Sequence, residues 1–192
     1  MVKVVVINGM PGCGKTTFEE MCDEICAPFV KMPGFVEGHI LCVDICSTVE
    51  FVKKVAMMCG WNGQKTPENR RFLSDLKDLL TNWNDVPFKK IQDRVRVRAA
   101  SAGAVDWILF VDCREPAEIQ KLKEHLNATT VLIRRPKIEN NETSNHADSG
   151  VFDYEYDLNI YNEYGLEELK MLAENFIEYM KKDEVPHYEY VN

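Results

Sequence analysis

The segment Gly9-Met10-Pro11-Gly12-Cys13-Gly14-Lys15-Thr16 constrains this chain more than any other stretch, because it fits G-x-x-x-x-G-K-[ST] at every position. An apolar, β-branched run from Val2 to Ile7, broken only by Lys3, precedes it. Behind it, Phe18, Met21, Cys22, Ile25 and Cys26 recur at helical spacing. Strand, glycine-rich turn and helix in that order is the context in which the pattern acquires a physical meaning. Glycines let the backbone curl into a ring of N–H groups, and the positive end of the new helix lies behind that ring, so the turn can cradle a polyphosphate. Gly9, Gly12, Cys13, Gly14, Lys15, Thr16 and Thr17 are the expected nucleotide contacts; Pro11 has no N–H to give, so the donors run from Gly12 to Thr17. Lys15 is expected to reach the β- and γ-phosphates of ATP, and Thr16 to offer its hydroxyl to Mg²⁺.

The chain is 192 residues long, which suits one domain with a sizeable core. Its net charge of −8 disfavours a nucleic-acid backbone as main ligand, since a phosphate polymer is repelled on average. No apolar run approaches the roughly 20 residues of a bilayer span, and the glycine-rich loop follows the first strand too closely for a cleavable leader. A cytoplasmic protein without a membrane partner, monomeric or homodimeric, is therefore expected. Seven cysteines, an odd number, read as reduced thiols rather than a disulfide framework. Cys22-x3-Cys26 and Cys42-x3-Cys46 do not have the usual spacing of zinc pairs, and the first two continue an apolar helical stripe. Cys13, at a helix N-terminus beside Lys15, is placed where a thiolate would be stabilised, although a small side chain turned away from the phosphates fits the same turn.

Helical and strand periods alternate along the rest of the chain. A connector over 28–38 leads to a strand from His39 to Ile45. Ser47-Thr48-Val49-Glu50 has the form of a capping box for a helix through about Cys59, which Gly60 ends. Thr66-Pro67-Glu68 starts a helix to about Asn82 with Leu73, Leu76, Leu79 and Leu80 as its inner face. The next helix, from Pro87 to about Ala102, aligns Phe88, Ile91, Val95, Ala99 and Ala102, and stacks Lys90, Arg94 and Arg98 on another side, as a solvated face or as a basic wall over a cleft. Trp107 to Val111 is a continuous apolar run, read as a central strand buried on both faces. Asp112 ends it, where a P-loop protein needs an acidic Mg²⁺ partner; the other reading is a cap for the helix that Glu115-Pro116 opens. A helix over Ala117 to Leu126 with Ile119, Leu122 and Leu126 inward, a strand from Thr129 to Ile133, a strand from Asp157 to Tyr161 and a closing helix over Leu166 to Met180 complete the pattern, with a frayed tail from Asp183. The fold class is thus α/β, a five-stranded parallel sheet with helices on both faces. After Arg134-Arg135-Pro136 the composition turns polar as far as Gly150, a candidate lid that could bring guanidinium groups to a transferring phosphoryl group.

Five strands with the phosphate loop after the first, and helices inserted at about 47–103 between the second and third, resemble nucleoside and nucleotide monophosphate kinases. Asp112-Cys113-Arg114, the strand ending in Arg134, a polar turn containing His146, and Asp157-Leu-Asn-Ile-Tyr-Asn162 followed by Gly165-Leu-Glu-Glu-Leu169 are similar to the group of phage-type deoxynucleoside monophosphate kinases and animal-type phosphomevalonate kinases. Three departures stand out: Thr16 where those relatives often carry Asp, His146-Ala147-Asp148-Ser149 for their His-x-Ser-Glu, and Glu115 after the Asp-x-Arg motif. The resemblance implies one kinase domain that transfers the γ-phosphoryl group of ATP to a small phosphorylated acceptor, a (deoxy)nucleoside monophosphate in the first instance. Lys15, Asp112, Arg114, Arg134 and Arg135 would be catalytic, Thr16 and Asp112 would hold Mg²⁺, and Lys65, Arg70 and Arg71 would hold the acceptor. A phosphometabolite kinase, a polynucleotide 5′-kinase and a non-catalytic nucleotide switch remain open on the sequence.

Overall fold

The computed structural model describes residues 1–26, 40–101, 105–139 and 150–187. The described strands are β1 (Val2–Asn8), β2 (Ile40–Ser47), β3 (Val105–Asp112), β4 (Thr129–Arg134) and β5 (Leu158–Tyr161). The helices are α1 (Lys15–Cys26), α2 (Glu50–Met58), α3 (Pro67–Asn84), α4 (Val86–Ala100), α5 (Pro116–Leu126), the single turn α6 (Pro136–Glu139) and α7 (Leu166–Met180). All strands are parallel, in the order β2-β3-β1-β4-β5, with the glycine-rich loop leaving the central β1. This is the five-stranded parallel α/β sheet that the sequence predicts.

Central strands covered on both faces must be apolar throughout, and β1 is buried along its whole length. Lys3 meets that requirement by donating from its ammonium to the carbonyls of Met180 and Lys182, at the end of α7. Side chains alternate along β3, which sorts the helices. Phe110 stacks edge-on with Phe18 of α1 and lies against Phe176 of α7, whereas Trp107, of opposite parity, lies under the Arg98 guanidinium of α4 at 4.2 Å. So α1 and α7 cover one face and α4 the other. Asp112 shares the parity of Phe110 and belongs to the α1 side.

Several local expectations give way to longer-range structure. Ser47 does not cap α2: β2 runs on through Ser47, which pairs with Asp112, and the N-cap is Val49 without a side-chain hydrogen bond. Thr66 does cap α3, its hydroxyl accepting from the Asn69 N–H at 3.3 Å. The leucines of α3 are not a core face, since no residue of that helix is buried and Leu79 is 65% exposed. Helices α2 and α4 leave α3 on the outside of the insert. Of the Lys90/Arg94/Arg98 stack, Lys90 and Arg94 border a cleft, as the second reading expects, while Arg94 and Arg98 both bind the buried Asp44 of β2. Arg94 also pairs with Glu50 at 2.9 Å. The start of the expected tail is anchored, with Val185 buried, while 188–192, the connector at 28–38, His39, Ala102 and the polar turn around His146 lie outside the described residues.

Candidate functional site

The phosphate loop is held by two buried asparagines. Asn8, at the end of β1, accepts the Gly9 N–H on its side-chain oxygen at 2.8 Å and donates to the Tyr156 hydroxyl at 2.7 Å. Asn162, just past β5, donates from its side chain to the Cys13 carbonyl at 2.9 Å and from its backbone to the Arg134 carbonyl at 2.8 Å. Both fix carbonyl and N–H groups that a bare turn would leave unsatisfied. The loop glycines are required by this packing: a Cβ on Gly9 would stand 2.4 Å from the Ile133 carbonyl oxygen, and one on Gly14 would stand 2.6 Å from the Asn162 amide nitrogen, each at positive φ.

Lys15 opens α1 and lies folded over the loop, its ammonium donating to the Gly9 carbonyl. Thr16 is exposed at the first turn, while Cys13 is buried, 1% exposed, with its sulfur beside Gly9. Burial raises the Cys13 thiol above its ordinary pKa, outweighing the pull of Lys15 in the other direction. The thiolate is therefore not favoured, and the Cys13 N–H closes a turn onto the Met10 carbonyl at 3.1 Å. Of the other loop residues, Gly12 offers its carbonyl to Arg135 at 3.2 Å.

Asp112 stands beside the loop because β3 pairs with β1 in a register that puts it opposite Ile7. Burial raises its carboxyl, while Lys15, Arg114 and Lys53 act to lower it. A residue the sequence analysis passed over accompanies it. Glu19 is 1% exposed, one turn after Lys15, and its Oε1 has no hydrogen-bond partner among the described residues. Burial, followed by the charge of Asp112, lifts its pKa to about 8. The buried residues of α1 are Phe18, Glu19, Cys22 and Cys26, so Glu19 takes a place in the stripe that its apolar neighbours mark. Its position four residues after Lys15 was the available signal. The exposed hydroxyl of Thr16 and the carboxyl of Asp112 are oxygen donors, the chemistry that suits a hard cation such as Mg²⁺, and Glu19, with its orphaned carboxyl oxygen, lies one turn further along α1.

The arginines divide. Arg134 is clamped to Glu139 by two hydrogen bonds, at 3.1 and 2.6 Å, and lies over Phe152 and Tyr161. Arg135 reaches the phosphate loop itself. Arg114 follows β3 on the exposed side and acts electrostatically on Asp112. Lys65, Arg70 and Arg71 are exposed around the start of α3, Arg71 at 85% beside Asp75. None of the three lines the cleft that opens at the end of β2. That cleft, of about 120 Å³, is bordered by Ser47, Thr48, Phe51, Lys54, Lys90 and Ile91, among others. The Thr48 N–H donates to the Asp112 carbonyl at 3.2 Å, so the cleft adjoins the acidic end of β3.

No helix of the described residues is long and apolar enough to cross a membrane. No family model matches the chain, and no curated protein matches it. Among solved structures the chain is similar to a sugar kinase from Janibacter sp., with 15% identity over 93% of this chain and 95% of that one at a TM-score of 0.48. It is also similar to shikimate kinase from Bacteroides thetaiotaomicron, with 10% identity over 94% of this chain and 99% of that one at 0.43. The tunicamycin resistance protein of Deinococcus radiodurans gives 15% identity over 94% and 96% at 0.45. Likeness at this level assigns neither activity nor substrate to the chain.

Proposed function

We propose that the chain is an ATP- and Mg²⁺-dependent phosphotransferase acting on a small phosphorylated acceptor, with a (deoxy)nucleoside monophosphate as the first candidate. The observation that carries the proposal is the juxtaposition, along the carboxyl edge of one parallel sheet, of a braced phosphate loop, an acidic strand end and a cleft with two lysines. In open α/β sheets this edge is where ligands sit. ATP binds with its phosphates over Gly12, Gly14, Lys15 and Thr16, and Thr16 with Asp112 holds the metal. Mg²⁺, when bound, neutralises charge on the polyphosphate. An acceptor phosphate is already a nucleophile, so the protein needs alignment and positive charge rather than a general base. Arg135 is placed to follow the loop, and Arg114 lies beside Asp112. Lys54 and Lys90 are proposed to take the acceptor's anionic group in the cleft, with Phe51 as its apolar wall; Lys65, Arg70 and Arg71 remain the alternative acceptor set.

The test is coupled ADP release with ATP·Mg²⁺ against a panel of nucleoside monophosphates and phosphorylated metabolites. With the best acceptor, Lys90→Met is expected to raise that acceptor's KM about tenfold or more while the KM for ATP holds, the signature of lost ground-state binding. Lys15→Ala should lower turnover by about a hundredfold or more with the fold intact. Equal turnover in wild type and Lys15→Ala removes the loop from the chemistry. An effect confined to Arg71→Ala moves the acceptor to α3.

A further inference from the structure

Helix α1 carries a carboxyl group where helix-to-sheet packing asks for an apolar side chain. Its covered stripe holds Phe18, Cys22 and Cys26, and the fourth member is Glu19. A buried carboxyl is expected to be fully hydrogen-bonded, since stranding one of its oxygens away from water is costly. Among the described residues Glu19 Oε1 has no partner. The side chain also has a direction. Helical side chains lean toward the N-terminus, so that of Glu19 covers the turn holding Lys15 and Thr16. Phe18, its neighbour on α1, packs on Phe110 of β3, two residues before Asp112 and on the same face of that strand. Consistent with this, the charges that act most strongly on Glu19 are those of Asp112 and Lys15.

We propose that Glu19 is a positioning residue of the divalent-cation site, its unpartnered oxygen anchoring the water shell of an ion held by Thr16 and Asp112. The assignment rests on the reading of the loop as an ATP·Mg²⁺ site. Carboxyl groups of this kind fix the orientation of a metal's other partners, and their removal commonly weakens metal affinity by about 10- to 100-fold. Protein that retains such a group at the expense of packing should gain stability when an apolar side chain replaces it.

Calorimetric titration of ATP into wild type, Glu19→Gln and Glu19→Leu, once in EDTA and once in Mg²⁺, separates the two readings. Wild type should bind ATP in both conditions and more tightly with Mg²⁺. In both variants the metal-free affinity should stay within about twofold, while the gain from Mg²⁺ falls by about tenfold or more. Direct titration of Mn²⁺ by electron paramagnetic resonance, with ADP present, should show the same loss without reference to turnover. In EDTA, Glu19→Leu should melt above wild type. An unchanged metal-dependent gain in both variants overturns the role of Glu19 alone, as does a fall in melting temperature for both variants in EDTA, which would mark a structural hydrogen bond. Absence of any Mg²⁺-dependent gain in wild type removes the metal-site reading and the assignment with it.

Discussion

Gly14 and Asn162 are predicted to be energetically coupled, and the coupling can be worked from their contact. Gly14 has φ +104°, and a Cβ built there would stand 2.6 Å from the Asn162 amide nitrogen. That nitrogen cannot retreat without breaking its 2.9 Å bond to the Cys13 carbonyl. Gly14→Ala therefore incurs backbone strain of about 1–3 kcal/mol and also strands the Cys13 carbonyl, for a further 1–3 kcal/mol, or about 4 kcal/mol together. Asn162→Ala strands the same carbonyl and should cost about 2 kcal/mol. In the double variant the alanine at 162 leaves room for the new Cβ, so only the strain is added to a bond that is already lost. Its destabilisation should be about 4 kcal/mol, roughly 2 kcal/mol below the sum of the single variants. Urea melts of the four proteins, read by circular dichroism, measure the cycle. Additivity within about 0.5 kcal/mol would refute the reasoning and show that Asn162 braces the loop by some route other than this contact.

Thiol titration of the native protein should show one fast group, Cys59, the exposed cysteine, then the half-buried Cys42 more slowly, with Cys13, Cys22, Cys26, Cys46 and Cys113 reacting only on unfolding; rapid labelling of Cys13, found by peptide mapping, would contradict its burial. Burial raises the Asp44 carboxyl, but hydrogen bonds from Arg94 and Arg98 outweigh it and hold the group below its ordinary value of 3.8, so its contribution is present above that value and is lost as pH falls through the lower, folded one. Acid unfolding of Asp44→Asn should accordingly depend less steeply on pH below about 4 than that of wild type, and identical profiles would dismiss the pairing. Arg134→Ala should destabilise by about 1 kcal/mol, a figure reduced for solvent screening, because it loses Glu139 and two aromatic faces. Arg135→Ala should leave the melt unchanged and lower kcat about tenfold or more, and the reverse pattern would exchange the two roles.

The parts of the molecule that sequence made legible are those whose cause is local. The loop pattern between strand and helix is one, because glycine, lysine and threonine act there through their own backbone and side chains. Asp112 is another, since a continuous apolar run fixes a buried strand and the first polar residue must mark its end. Ile119, Leu122 and Leu126 of α5 are buried as their spacing predicts. Where a distant partner decides, the pattern misleads. Leu76 and Leu79 have the same period whether or not a surface lies beneath them, and α3 has α2 and α4 on its flanks rather than the sheet. Ser47 and Glu50 satisfy the capping-box spacing, yet Ser47 is taken by pairing with a strand that begins 58 residues later in the chain, at Val105. Arg94 and Arg98 find Asp44 about fifty residues upstream. Glu19 was passed over because a charged residue beside an apolar stripe is ordinarily the solvent edge of a helix.

The arrangement of charges gives this site a definite division of labour. An arginine whose fork is already matched to a carboxylate has little to gain from moving to a ligand, since it must give up charge-assisted bonds to form others. Arg94, bound to Asp44 and Glu50, therefore ties the insert to β2, and Arg134, bound to Glu139, ties β4 to the turn that follows. Arg135 is different, because its described partner is a single carbonyl on the phosphate loop, a bond that an incoming phosphate oxygen can better. Lys54 pairs with Glu50 at 2.6 Å, and Lys90 with Asp93 at 3.8 Å and with the Phe51 ring at 5.1 Å, contacts of exposed side chains that are worth little. The cations with strong internal partners thus build the frame, Arg94 doing so as part of the cleft wall, and those with weak ones border the loop and the cleft. For the proposed reaction, which would move negative charge from one bound phosphate to another, rigid scaffold and redeployable charge are both required. In this chain β2 and β4, flanking β3 and β1, anchor the first, and the second is spread between the start of α6 and the cleft at the end of β2.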